Sequence, residues 1–225
     1  MIVAHKRGVF AQVVERYVRR KVRRAFRGVW LRGVLPPRDA RLLIYANHTS
    51  FWDGFVAAQL CHEGGWTGYC LMEERNLARY RFLSRLGAFS IRRGDPTSAV
   101  ESLRYARRLL ERPGTAVVIF PEGELRPDRG EPYPLERGVE VLARRAACIC
   151  LPLAFRYRFF EHELPDVLVA VGEAHAPVAL AEFAARLGAT VRQLSDIRTL
   201  AGFTPLLRGR RSVTERWDAV RGLGM

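Results

Sequence analysis

The sequence predicts an α/β fold: a single domain with a central, mostly parallel or mixed sheet flanked by helices, plus an N-terminal basic amphipathic helix. Three observations carry that prediction. Apolar runs of strand length recur at residues 42–46, 115–120 and 149–156, each too short for a core helix and rich in aliphatic side chains. Helical patterns stand between the runs, as the crossover connections of a parallel sheet require. The first thirty residues instead place apolar side chains at spacings of three and four among arginines, the signature of an amphipathic helix.

Residues 9–32 are expected to form that helix as one piece. Its apolar stripe runs from Phe10 through Val14, Tyr17, Val18, Val22, Phe26 and Val29 to Trp30, and the span 9–32 holds eight basic residues with Glu15 the one acid. An aromatic and valine-rich stripe beside a cationic face suits an interfacial membrane helix. A helix packed on its own domain and a nucleic-acid arm are the alternatives. Leu35-Pro36-Pro37 breaks the helix. The expected organisation is therefore a membrane-associating segment at 1–38 and the main domain at 39–225.

The strand at 42–46 is followed by a helix through Phe55 and Leu60, then a strand at 67–72, a helical stretch through residues 77–86 and a strand at 87–91. Asp95-Pro96-Thr97 opens a helix that runs to about residue 111, with Pro96 in its first turn. Pro113-Gly114 ends it. Residues 115–120 are the clearest buried strand, stopped by Pro121, and a polar loop through Pro134 leads to a helix at 136–145. Strands at 149–156 and 166–172 pair through a turn at 161–165. Residues 179–194 read as a helix, and residues 208–211 carry a basic cluster.

With 225 residues, 48% of them hydrophobic and 27% charged, the chain is long enough to bury a core and has the balance of a soluble domain. Its net charge of +14 is unusual and implies an anionic partner. Cys61, Cys70, Cys148 and Cys150 have no metal-ligand spacing and are expected to be small apolar residues in a reducing compartment. His5, Lys6 and Arg7 interrupt the N-terminus, so no secretory signal is expected. No run approaches the ~20 apolar residues of a spanning helix. These features predict a cytoplasmic protein that is peripheral on the inner face of the cell membrane.

The chemistry gathers at Asn47-His48-Thr49-Ser50-Phe51-Trp52-Asp53. His48 stands where a strand ends and a helix begins, a position at which α/β proteins place reactive groups. Asp53, five residues on, can orient one ring nitrogen and leave the other free to take a proton. Ser50-x-x-Asp53 is also a capping box, with Asp53 satisfying the Ser50 amide. Further blocks follow: Gly87-Ala88-Phe89-Ser90-Ile91-Arg92-Arg93, Phe120-Pro121-Glu122-Gly123, and Ile149-Cys150-Leu151-Pro152-Leu153. The four blocks, in this order across residues 40–155, resemble the glycerolipid acyltransferase family, marked by Asn-His-x4-Asp and Phe-Pro-Glu-Gly.

The resemblance implies O-acyl transfer to a lysophospholipid-type acceptor such as 1-acyl-glycerol-3-phosphate, with acyl-CoA or acyl-carrier protein as donor. His48 is the expected general base and Asp53 its partner; no cofactor and no metal are implied. By the family pattern Arg93 holds the acceptor phosphate, while Arg92 reads as a solvated charge. Glu122 either binds acceptor hydroxyls, which the resemblance favours, or anchors its loop, and Gly123 permits close backbone approach. The family commonly continues with Thr and then a basic or small residue, whereas this chain has Glu124-Leu125-Arg126. Arg126 stands for the expected basic residue one position late, and the extra carboxylate opens an alternative, a non-phosphorylated lipid or glycolipid alcohol as acceptor. A Ser50-based hydrolase is disfavoured by the Ser50 spacing and by the lack of a Gly-x-Ser-x-Gly elbow. A basic nucleic-acid-binding module explains the charge but gives the ordered blocks no role, so no nucleic acid is expected. The expected partners are an anionic membrane surface, a lipid acceptor and the acyl donor.

Overall fold

Side-chain alternation along β2 (Leu42–Ala46) divides the core in two. Leu42, Ile44 and Ala46 enter one apolar layer, Leu43 and Tyr45 the other, and all five are fully buried. A strand covered on both faces is what an interior position in an α/β sheet requires. The structure, a computed structural model, describes residues 1–6, 8–126, 133–213, 215, 217 and 221.

The sheet has eight strands in the order β4-β3-β5-β2-β6-β7-β1-β8. They are β1 (Gly28–Arg32), β2, β3 (Thr67–Glu73), β4 (Ala88–Ile91), β5 (Thr115–Ile119), β6 (Ile149–Arg158), β7 (Asp166–Val171) and β8 (Thr204–Arg208). The five strands from β4 to β6 are parallel. β7 then runs antiparallel to β6, β1 parallel to β7, and β8 antiparallel to β1. The mixed, mostly parallel sheet expected from the sequence is the one observed.

Helices cover both faces. On the side of Leu42 and Ile44 lie α1 (Gly8–Ala25), α2 (Asp53–Gly64), α3 (Glu74–Arg79) and α4 (Leu83–Leu86). On the other lie α5 (Pro96–Leu110), α6 (Gly138–Arg145) and α7 (Leu180–Arg192). Asp95 caps α5, its carboxylate accepting the Ser98 amide at 3.0 Å, with Pro96 in the first turn. The helical stretch expected over 77–86 is two short helices, α3 and α4, separated at Tyr80. Gly87, which ends α4, has a φ of +107°, and a Cβ there would lie 2.4 Å from the Gly68 carbonyl oxygen. Only glycine lets β4 start so close to β3.

The single helix expected over residues 9–32 is corrected. α1 ends at Ala25, and Gly28–Arg32 is a strand inside the sheet, between β7 and β8. Residue 38 therefore marks no break in the sheet, because β1 from the N-terminal segment pairs with β7 from the C-terminal part. Nor is the whole apolar stripe exposed. Val14, Val18 and Val22 are buried in the domain core, with Phe26 and Val29, which contributes roughly 1.5–3 kcal/mol for each large side chain. Val9, Phe10, Val13 and Tyr17 remain exposed. Arg16, Arg20, Lys21 and Arg24 are exposed further along the same helix. The outer face of α1 is thus apolar in its first turns and cationic in its last.

Candidate active site

β2 and β5 are parallel neighbours, so the loops that leave their C-terminal ends lie side by side. The first carries Asn47 and His48, the second Phe120 to Arg126. Buried Asn47 fixes the first loop to β6: its amide nitrogen donates to the Phe155 carbonyl at 3.0 Å, and its oxygen accepts the Phe155 amide at 2.8 Å. Glu122 ties the two loops together. Its Oε1 accepts the His48 amide at 2.8 Å, and the Arg126 amide donates back to the His48 carbonyl at 2.8 Å.

His48 Nδ1 donates to Asp53 Oδ2 at 2.9 Å. The same oxygen accepts the Thr49 and Ser50 amides, each at 2.8 Å. Asp53 Oδ1 accepts the Tyr157 hydroxyl at 2.6 Å. The carboxylate is fully buried yet has four donors, so it is compensated where it stands. Helix α2 begins at Asp53 itself, and one carboxylate makes both contacts expected of the motif: it holds the imidazole and also accepts the Ser50 amide. Ser50 Oγ accepts the Trp52 amide at 3.2 Å.

Tyr157 is a site residue that sequence reasoning missed. It sits in β6, more than a hundred residues from Asp53, and nothing in its own surroundings marks it. Burial and the Asp53 carboxylate push its phenol well above the ordinary tyrosine range, so it stays a donor. Phe120, which the sequence marks only as the start of its block, stacks its ring on the imidazole, 4.2 Å between centroids and 21° between planes. With Nδ1 on Asp53 and one face on Phe120, His48 presents Nε2 as its free ring nitrogen.

The imidazole lines a cavity of about 920 Å³, large enough for a lipid-sized ligand. Part of its wall is apolar, from Phe55, Ala58, Cys61, Cys70, Met72 and Leu86. Burial raises the Cys61 and Cys70 thiols to about 12, which leaves them protonated wall atoms. The wall also carries charged residues: Glu73, Arg75, Arg79, Arg92, Arg93 and Glu124.

The other expected residues divide between cavity and support. Arg93 and Gly123 line the cavity with His48. Gly123 has a φ of +75°, a left-handed turn that sends Glu122 towards the His48 amide and leaves Glu124 at the cavity wall. Glu122 is buried beneath that turn and anchors the loop. Burial raises its carboxyl above the ordinary range, and the His48 amide offsets part of that rise. Arg92 reaches Asp95 at 3.1 Å and Glu74 at 3.7 Å. Glu124 stands between the remaining two cations, 2.8 Å from Arg126 Nη2 and 3.6 Å from Arg93 Nη1. Among the described residues no group of three His, Cys, Asp or Glu side chains is arranged to hold a metal ion.

The family model described as Acyltransferase matches residues 29–156, more than half of the chain. The chain belongs to the acyltransferase family. The match spans His48, Asp53, Arg93 and Glu122 and agrees with the glycerolipid acyltransferase resemblance carried by the four sequence blocks. Among solved structures, the chain is similar to the 1-acyl-sn-glycerophosphate (LPA) acyltransferase PlsC from Thermotoga maritima. The identity is 18% and the TM-score 0.56, over 83% of this chain and 81% of that one, a likeness of fold. No curated protein sequence matches the chain significantly.

Proposed function

We propose that this acyltransferase moves a fatty acyl group from the thioester of acyl-CoA or acyl-carrier protein to a hydroxyl of a lysophospholipid-type acceptor such as 1-acyl-glycerol-3-phosphate. The observation that supports it most is the His48–Asp53 pair, with Nδ1 committed to the carboxylate and the ring at the wall of a part-apolar, part-cationic cavity. The acceptor oxygen attacks the thioester carbonyl carbon while His48 Nε2 takes the hydroxyl proton. The tetrahedral intermediate then expels the sulfur, and the proton passes from Nε2 to the leaving thiolate. No acyl-enzyme forms. Asp53 holds the ring in the required tautomer and stabilises the transient imidazolium. The apolar wall takes the acyl chain, and Arg93 faces the acceptor head.

The lipid acceptor has to be met at a bilayer. Among the described residues no helix is long and apolar enough to cross a membrane. Val9, Phe10, Val13 and Tyr17 on α1 offer an apolar surface, and the arginines beyond them attract an anionic leaflet. The protein works as a peripheral enzyme on that surface.

Purified full-length protein given acyl-CoA and a panel of lysophospholipids and unphosphorylated lipid alcohols should release CoA and form one lipid ester for each thioester consumed with at least one of them. Release of free fatty acid at one rate, with or without acceptor, would instead make it a thioesterase. A second acceptor class, lipid alcohols without phosphate, is favoured by one observation, the Glu124 carboxylate between Arg93 and Arg126.

A further inference from the structure

Two guanidiniums make a seat for an anion, and here the seat formed by Arg93, which lines the cavity, and Arg126 beside it already holds one. Glu124 uses one carboxylate oxygen for each cation: Oε1 lies 2.8 Å from Arg126 Nη2 and Oε2 lies 3.6 Å from Arg93 Nη1. The backbone that carries Arg126 is tied to the His48 loop, because the Arg126 amide is bonded to the His48 carbonyl. Arg92, another cation lining the cavity, is paired with Asp95 and Glu74. Among the described residues the enclosed Nε of Arg126 has no hydrogen-bond partner, so within them its guanidinium is only partly satisfied by Glu124. The three side chains are each between 42% and 48% exposed, and Arg93 and Glu124 line the cavity.

We propose that Glu124 is the acceptor-selecting residue of this site: its carboxylate fills the anion seat between Arg93 and Arg126 and directs the enzyme to lipid alcohols whose head carries no phosphate. The inference rests on the acyl-transfer reading above and decides between its two acceptor classes. A phosphate monoester carries about −1.5 to −2 charge near neutral pH. It would meet a cluster with one net positive charge and a carboxylate already on both cations, so it must displace Glu124 or sit against it. A head made of hydroxyls meets the opposite situation. It can donate to Glu124, which is an acceptor only, and accept from the arginines, which are donors only. Removing the carboxylate reverses the preference by emptying the seat.

The test compares wild type with Glu124→Gln and with the double variant Glu124→Gln, Arg126→Ala, using full-length protein, one acyl-CoA, and two acceptors with the same chain: 1-acylglycerol and 1-acylglycerol-3-phosphate. Wild type should show the higher kcat/KM with 1-acylglycerol. Glu124→Gln should raise kcat/KM for the phosphate acceptor, through KM, by roughly three- to tenfold, the size of one partly exposed charge interaction. It should lower kcat/KM for 1-acylglycerol, and the double variant should lose the gain on phosphate. In parallel calorimetry with glycerol 3-phosphate, which needs no turnover, Glu124→Gln should bind more tightly than wild type by a similar factor, and the double variant should lose that gain. A wild type that prefers the phosphate acceptor, with Glu124→Gln no better on it and no tighter for glycerol 3-phosphate, overturns the proposal. Thioester hydrolysis with no ester on either lipid overturns the acyl-transfer reading instead, while the calorimetry still judges the seat.

Discussion

The His48 backbone amide donates to Glu122 Oε1 at 2.8 Å, so the carboxylate just past β5 holds the His48 loop just past β2. The bond spans 74 residues of chain and makes Glu122 a positioning residue. Glu122→Ala should lower kcat by about tenfold or more by loosening the ring, and should destabilise the fold by about 1–3 kcal/mol. Glu122→Gln, which keeps an acceptor oxygen, should restore most of both. Equal losses in the two variants would show that the negative charge, and not the loop tie, is what matters.

The same carboxyl predicts a pH dependence of stability. Burial raises its folded pKa above the unfolded value. Its stabilising contribution is then fully present below the ordinary glutamate range and is lost as pH rises through the folded pKa. The melting temperature of Glu122→Gln relative to wild type should therefore increase from acid to neutral pH. A constant difference across that range would contradict the assignment.

Tyr157 should matter to the rate through Asp53. Its hydroxyl, at 2.6 Å from Oδ1, is one of the donors that fix the carboxylate. Tyr157→Phe should cost roughly three- to tenfold in kcat with little change in KM. Asp53→Asn should cost far more, on the order of 10²–10⁴-fold, because it disturbs the tautomer of the base. Steady-state kinetics on the two variants check the order. Tyr157→Phe as damaging as Asp53→Asn would mean that the hydroxyl contacts substrate directly.

Asn47 should be a fold residue although it opens the catalytic motif. Both atoms of its amide are spent on the Phe155 backbone, in a buried place. Asn47→Ala leaves that amide and carbonyl unpaired, which should cost on the order of 2–4 kcal/mol, read as a lower denaturation midpoint.

The outer face of α1 gives a test of membrane contact that leaves the core alone. Phe10 and Val13 are exposed, at 58% and 53%. Replacing both by Asp should release the protein from anionic vesicles without lowering its melting temperature. Val18→Asp, at a position 2% exposed, should unfold it instead. Vesicle binding as tight in the double variant as in wild type would make α1 a packing element alone.

Much of this was legible in the sequence, for physical reasons. β2 and β5 are interior strands, so their apolar runs are continuous and bounded by Asn47 and Pro121. The His48–Asp53 pair is local, and a five-residue spacing can be read without a fold. What escaped notice was non-local. Tyr157 reaches Asp53 only because β6 lies beside β2. β1 was absorbed into the preceding helix because Phe26, Val29 and Trp30 continue a three- and four-residue spacing. Its own signal was Gly28, where a Cβ would lie 2.7 Å from the Trp30 ring, together with the alternating burial of Val29 and Leu31. β8 is an edge strand paired with β1 alone and contains Pro205, so it reads as loop. The loop at 127–132, placed by the sequence in a polar connection, lies outside the described residues.

The central claim is direct transfer with His48 as the base, and a single-turnover experiment tests it most directly. Enzyme in excess is mixed with radiolabelled acyl-CoA and 1-acylglycerol or 1-acylglycerol-3-phosphate, and the label is followed in thioester, lipid ester and protein. The account predicts that label passes from thioester to lipid with none on protein at any time, and that His48→Ala, folded as wild type, slows the step by on the order of 10²–10⁴-fold. Label accumulating on protein before it reaches lipid, or His48→Ala turning over at the wild-type rate, would contradict it.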